Sequence, residues 1–134
     1  MRKIIILSML VIIFINGCNI DVSDNPYIEE IFSEPSFMDS TIDSIKIVYT
    51  IKNPSQIDFN GKLSINFKKE CLSANEENQI EVKAESEKSG TISLRRVSRI
   101  KEECYTDQQV IFNLANEDGT ILYDTDTIII KLIE

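Results

Sequence analysis

The sequence predicts an all-β domain: an antiparallel sandwich or barrel of about seven strands, with one short helix. Seven or eight short segments alternate apolar and polar residues, the period of a strand with one buried face. Turn-forming residues fall between those segments. No strand pattern alternates with a long helical one, as a parallel βαβ fold would need, and there is no internal repeat or low-complexity run.

The strands follow in order. Between Thr41 and Lys52, Ile45, Ile47, Tyr49 and Ile51 share one parity, and Ser44, Lys46, Thr50 and Lys52 mostly fill the other. Asn53-Pro54-Ser55 ends this strand, because Pro54 has no N–H to give a ladder. Asn60-Gly61 is a tight-turn signal, after which Leu63, Ile65 and Phe67 alternate with Ser64, Asn66 and Lys68. Ser73 to Asn78 reads as a polar loop. Ile80, Val82 and Ala84 form the next strand, Lys88-Ser89-Gly90 a turn, and Ile92 with Leu94 a continuation. Val110, Phe112 and Leu114 lead into the turn Asn116-Glu117-Asp118-Gly119, and Ile121 with Tyr123 returns from it. Ile128, Ile130 and Leu132 close the pattern; Ile129 and Ile133 lie on the opposite parity, which predicts a last strand covered on both faces. One stretch departs from period two. Leu94, Val97, Ile100 and Cys104 have helical spacing, so a one- or two-turn helix is expected there.

Two segments carry a likeness to a known fold family. The strand Ile45-Lys46-Ile47-Val48-Tyr49-Thr50-Ile51-Lys52-Asn53-Pro54 and the hairpin Phe112 to Tyr123 around Asp118-Gly119 resemble the immunoglobulin-like sandwiches of bacterial envelope proteins. The resemblance implies two packed antiparallel sheets and no particular function. The chain differs from antibody-type domains in having no tryptophan, and its cysteines do not map onto their inter-sheet bridge.

Ahead of these strands stands a different signal. Arg2 and Lys3 precede Ile4 to Ile15, twelve residues in which Ser8 alone is polar. A membrane-spanning helix takes about 20 apolar residues, whereas a signal-peptide core takes about 7–15. The run ends Ile15-Asn16-Gly17-Cys18, which resembles the lipobox of bacterial lipoproteins: a branched apolar residue three before a cysteine and a small residue directly before it. The resemblance implies diacylglycerol on the Cys18 thiol, cleavage after Gly17, and final attachment by two or three acyl chains. Each buried methylene contributes about 0.8 kcal/mol, so more than one chain makes the attachment stable. The expected organisation is a signal peptide at 1–17, a lipidated tether at 18–26 and a β-sandwich domain at 27–134.

Composition then narrows the function. The full chain carries 14 basic and 22 acidic side chains, a net −8; losing Arg2 and Lys3 with the signal segment takes the mature chain to −10. Nucleic acid would repel it, and anionic lipid would not hold it by charge, so membrane attachment rests on Cys18. There is no histidine, which removes Ser-His-Asp and Cys-His catalysis and the ordinary zinc sites. No cofactor is expected, and the chain reads as a non-enzyme. Cys71 and Cys104 remain in an exported, oxidising setting, where a pair forms a disulfide; a redox pair would instead stand close together as C-x-x-C.

Three clusters invite a site. Asn116, Asp118, Asp124 and Asp126 offer oxygens that could serve calcium, though turn chemistry alone accounts for them. Arg95, Arg96, Arg99 and Lys101 could dock an acidic partner, or form a solvated face balanced by Glu102 and Glu103. Glu76 with Glu77, or Asp124 with Asp126, are carboxylate pairs of a kind common in polar loops and unlike the separated pair of a glycosidase. The expected function is that of a lipid-anchored envelope lipoprotein, a non-enzymatic binding or structural module with an envelope protein partner. The alternative is a small inhibitor or immunity-type lipoprotein that blocks an envelope hydrolase or toxin, its acidity steering it to a basic target.

Overall fold

Period-two alternation builds both sheets of the domain. The computed structural model describes residues 24–134; the expected signal peptide at 1–17, Cys18 and the expected tether up to residue 23 lie outside the described residues. In β3 (Ser44–Asn53), Ile45, Ile47, Tyr49, Ile51 and Asn53 are buried and the residues between them are not. The same rule operates in β4 (Phe59–Asn66), in the second half of β7 (Ser86–Arg96) and, apart from Ala115, in β8 (Asp107–Asn116). The other strands are β1 (Tyr27–Glu34), β2 (Phe37–Met38), β5 (Leu72–Ala74), β6 (Glu77–Val82) and β9 (Leu122–Leu132).

One sheet runs β1-β3-β7-β5 and the other β2-β9-β8-β4-β6. Neighbours are antiparallel except β2 and β9, which pair in parallel. The chain therefore leaves one sheet after β1 and joins the last strand of the other within a few residues. Between the sheets, Ile45, Ile47 and Ile51 of β3 and Ile92 and Leu94 of β7 face Leu63, Ile65, Val110, Phe112, Leu114, Ile130 and Leu132, with Met38 closing one end. The predicted all-β sandwich is the fold found.

Several local expectations are corrected. Asn60 and Gly61 do not turn the chain: both lie inside β4, where Gly61 is paired with Ile80 on one side and Asn116 on the other. Lys88, Ser89 and Gly90 run straight through β7 opposite Ile51, Thr50 and Tyr49; the turn before β7 is at Ala84 and Glu85, with Glu85 at φ 54°. Ser73 to Asn78 holds the end of β5 and the start of β6. The expected helix is absent: β7 continues to Arg96, and the helical spacing ends in one 3-10 turn, Glu102–Cys104. Nor is β9 covered on both faces, since Ile129 and Ile133 are 48% and 40% exposed. The hairpin turn is where it was expected, with Gly119 at positive φ.

Gly61 and Gly90 mark close approach instead of turning. A Cβ on Gly61 would overlap the Ala115 carbonyl oxygen and the Phe59 ring, and one on Gly90 would overlap the Tyr49 ring and hydroxyl. Each glycine thus leaves the space an aromatic side chain fills, a role glycine takes within strands. At Gly61 the obstruction includes fixed backbone, so the strand must move. Gly61→Ala is expected to lower stability by about 2 kcal/mol, in the range of overpacked cores; urea denaturation reads it, and an unchanged midpoint would refute this account of the glycine.

Candidate functional site

Strand register divides the sandwich into two ends. At the proximal end, where Tyr27 opens β1 opposite Lys52, lie the β3–β4 loop (54–58), the β6–β7 turn (83–85) and the β8–β9 turn (117–121). The distal end carries the β4–β5 and β7–β8 connections and the chain terminus.

Asn53 organises the proximal end. It is 1% exposed, and its Nδ2 donates to the carbonyls of Ile57 at 2.9 Å, Val82 at 3.1 Å and Lys83 at 3.3 Å. Its Oδ1 accepts the Ser55 N–H at 3.1 Å. Asp58 adds a second tie, accepting the Ala84 N–H at 2.9 Å; that amide is the main reason its carboxyl sits below the usual carboxylate range, with Lys83 reinforcing it. These side chains hold the two loops to each other. Beside them Tyr27, Lys52, Asn53, Pro54, Glu85, Ser86 and Glu87 line an open groove of about 450 Å³. Sequence reading took Asn53 only as a strand stop; the available signal was an amide on the inward parity of β3.

The oxygen-rich hairpin is occupied by its own turn chemistry. Asp118 accepts the Thr120 hydroxyl at 2.6 Å and amide at 3.0 Å, and the hydroxyl is the leading cause of its lowered pKa. Asn116 Oδ1 accepts the Ile121 N–H at 2.9 Å. Asp124 instead binds across strands, taking the Ile28 N–H at 2.8 Å and so fastening β1 to β9. Asp126 accepts the Thr127 N–H. Among the described residues no three carboxylates or cysteines gather as a metal would require. The groove next to the turn is lined by Asp58, Asn60, Asn116, Glu117 and Asp118, without Asp124 or Asp126.

The distal end holds the remaining candidates. Cys71 and Cys104 are joined, with Cα atoms 5.5 Å apart, and both are fully buried. The bond links the β4–β5 connection to the β7–β8 connection, at the rim of the sandwich and not through its centre. Arg95 is exposed beside Ser44 and Ser73; Arg99 and Lys101 are exposed in the β7–β8 connection. Among the described residues, none of Arg95, Arg96, Arg99 and Lys101 is in an ion pair with Glu102, Glu103 or any other carboxylate, though the Arg96 charge acts through space on Asp39. Glu76 and Glu77 are engaged separately, with Lys69 at 2.8 Å and Lys62 at 3.2 Å. They do not form a joint carboxylate pair.

No family model matches the chain, and no curated protein matches it. Solved structures are similar in fold. A GH2 β-galacturonidase from Eisenbergiella tayi bound to galacturonate aligns with TM-score 0.55 and 17% identity over 80% of this chain; the chain spans 19% of that protein's length. The cupredoxin domain of amoB from Nitrosocaldus yellowstonii aligns with TM-score 0.55 and 10% identity over 84% of this chain and 89% of that domain. A FixG-related protein from Vibrio parahaemolyticus aligns with TM-score 0.50 and 13% identity, covering 68% and 78% of the two chains. At these identities the likeness shows the β-sandwich fold and carries no function.

Proposed function

We propose that the chain is a lipid-anchored lipoprotein of a bacterial envelope, whose β-sandwich serves as a non-enzymatic binding or structural module. The observation that carries the reading is Ile15-Asn16-Gly17-Cys18 at the end of a basic start and a twelve-residue apolar run. The sandwich fold is compatible with a binding or structural role, and the lack of histidine weighs against the common catalytic schemes. Cys71 and Cys104 are committed to each other, which leaves Cys18 as the thiol for lipid.

Cys18→Ala tests it. The expected result is loss of palmitate labelling and transfer of the protein from the membrane pellet to the soluble fraction, with the thermal midpoint of the domain unchanged. A variant that stays in the membrane would sink the reading. Salt-sensitive capture of a basic envelope enzyme by the soluble variant would move the assignment to the inhibitor class.

A further inference from the structure

Most of the strongly exposed apolar side chains gather at one end of the domain. Among the described residues the three most exposed large hydrophobic side chains are Ile57 at 77%, Leu122 at 60% and Ile121 at 52%. All three belong to the proximal end, Ile57 in the β3–β4 loop and Ile121 with Leu122 where the hairpin turn joins β9. Tyr27, 39% exposed, stands at the same end.

The fold uses the backbone of two of these residues and not their side chains. The Ile57 carbonyl accepts from Asn53 and its N–H donates to Ser55 Oγ. The Ile121 N–H donates to Asn116 Oδ1, and its carbonyl accepts the Asn116 N–H. Both loops are therefore fixed by hydrogen bonds while apolar side chains project from them. Exposed apolar groups gathered at one end of a domain can serve as a contact site for lipid or protein.

Chain length selects the occupant. Eight residues separate Cys18 from Tyr27, a reach of about 30 Å at full extension. The ten residues of β3 put the distal end about 33 Å farther along the strand axis. The proximal end is thus the one that a lipid on Cys18 holds near the bilayer.

We propose that this end is a lipid-contact surface, with Ile57, Ile121 and Leu122 seated in the headgroup–acyl boundary of the membrane that holds Cys18. The proposal rests on the lipoprotein reading above. Tyr27 has the amphipathic character favoured at that depth. Asp58, Glu85, Glu117 and Asp118 outnumber Lys52 and Lys83 at this end, so the contact is apolar and suits zwitterionic headgroups better than anionic ones.

The test uses the full lipidated chain on phosphatidylcholine vesicles, with Ile57→Cys, Ile121→Cys or, at the distal end, Ser98→Cys. Cys71 and Cys104 are bonded and Cys18 carries lipid, so a polarity-sensitive fluorophore reacts only at the new thiol. The expected result is blue-shifted emission and several-fold stronger quenching by spin-labelled lipid at 57 and 121 than at 98, weakened when phosphatidylglycerol replaces phosphatidylcholine. Equal exposure at all three positions, with the protein still on the vesicles, overturns the proposal alone. Failure of the unlabelled lipidated chain to stay on vesicles overturns the lipoprotein reading with it. Blue shift that grows with protein density and is not lipid-quenched assigns the surface to a second copy of the chain and also overturns it.

Discussion

Cys71→Ser/Cys104→Ser should unfold with about 4 kcal/mol less free energy than the parent, the entropy of freeing a closed loop of this length. The separation is 33 residues, and the loop contains β5, β6 and β7, so in the unfolded chain the bond constrains an entire edge of the sandwich. In the folded state the surroundings of the two cysteines add to its grip. The Cys71 carbonyl accepts the Val97 N–H at 3.1 Å, and the Cys104 carbonyl accepts Gln108 Nε2 at 3.0 Å in a buried site. Equilibrium denaturation in urea checks the value, and reduction of the parent by dithiothreitol should shift the midpoint in the same direction. A loss below about 1 kcal/mol would mean that the unfolded chain is already compact around this loop.

Asn53→Ala should cost about 3 kcal/mol, although it removes only one small side chain. Three carbonyls and one amide depend on that carboxamide, and a buried polar group stripped of its partner loses about 1–3 kcal/mol. The Val82 bond is itself buried, where no water replaces the donor. The effect should be local as well as global. Hydrogen exchange at Ser55 and in the β6–β7 turn should accelerate more than at the distal end, because Asn53 joins the two proximal loops. Uniform exchange across the domain would show that the residue merely fills space.

The sandwich was legible because its central strands alternate over long runs. β3, β8 and the later part of β9 put every second residue inward, and the pairing of Cys71 with Cys104 needed no geometry. What escaped was written in spacing that local irregularities disturb. β1 was missed because its register shifts between Ile28 and Glu30, so Ile28 and Ile31 face inward at a separation of three. Gly61 and Gly90 look like turns in sequence, and only the neighbouring Phe59 and Tyr49 rings reveal them as strand positions. Leu94, Val97, Ile100 and Cys104 have helical spacing because a strand end, a bend and a 3-10 turn follow one another there. The proximal cluster was harder still. Ile57 stands in a loop with no periodicity, and Ile121, which its alternation with Tyr123 placed in the returning strand, lies in the turn before β9; they are 64 positions apart, and only strand register brings them to one end. The basic residues were legible as a cluster; their freedom from ion pairs was not.

The first strand also decides how the domain would carry a mechanical load. β1 is hydrogen-bonded to β3 from Tyr27 opposite Lys52 to Glu34 opposite Lys46, with its leading end at the proximal side. Were the chain anchored as proposed, a tug on it ahead of Tyr27, resisted at the distal end, would run along the strand axes. The β1–β3 ladder would then be stressed like a lap joint, its rungs sharing the pull and resisting shear together. The opposite arrangement, with the tether leaving from the distal end of β1, would fold the strand back and peel it rung by rung. The polarity of one edge strand thus gives the domain its stronger grip on the side from which it would be pulled.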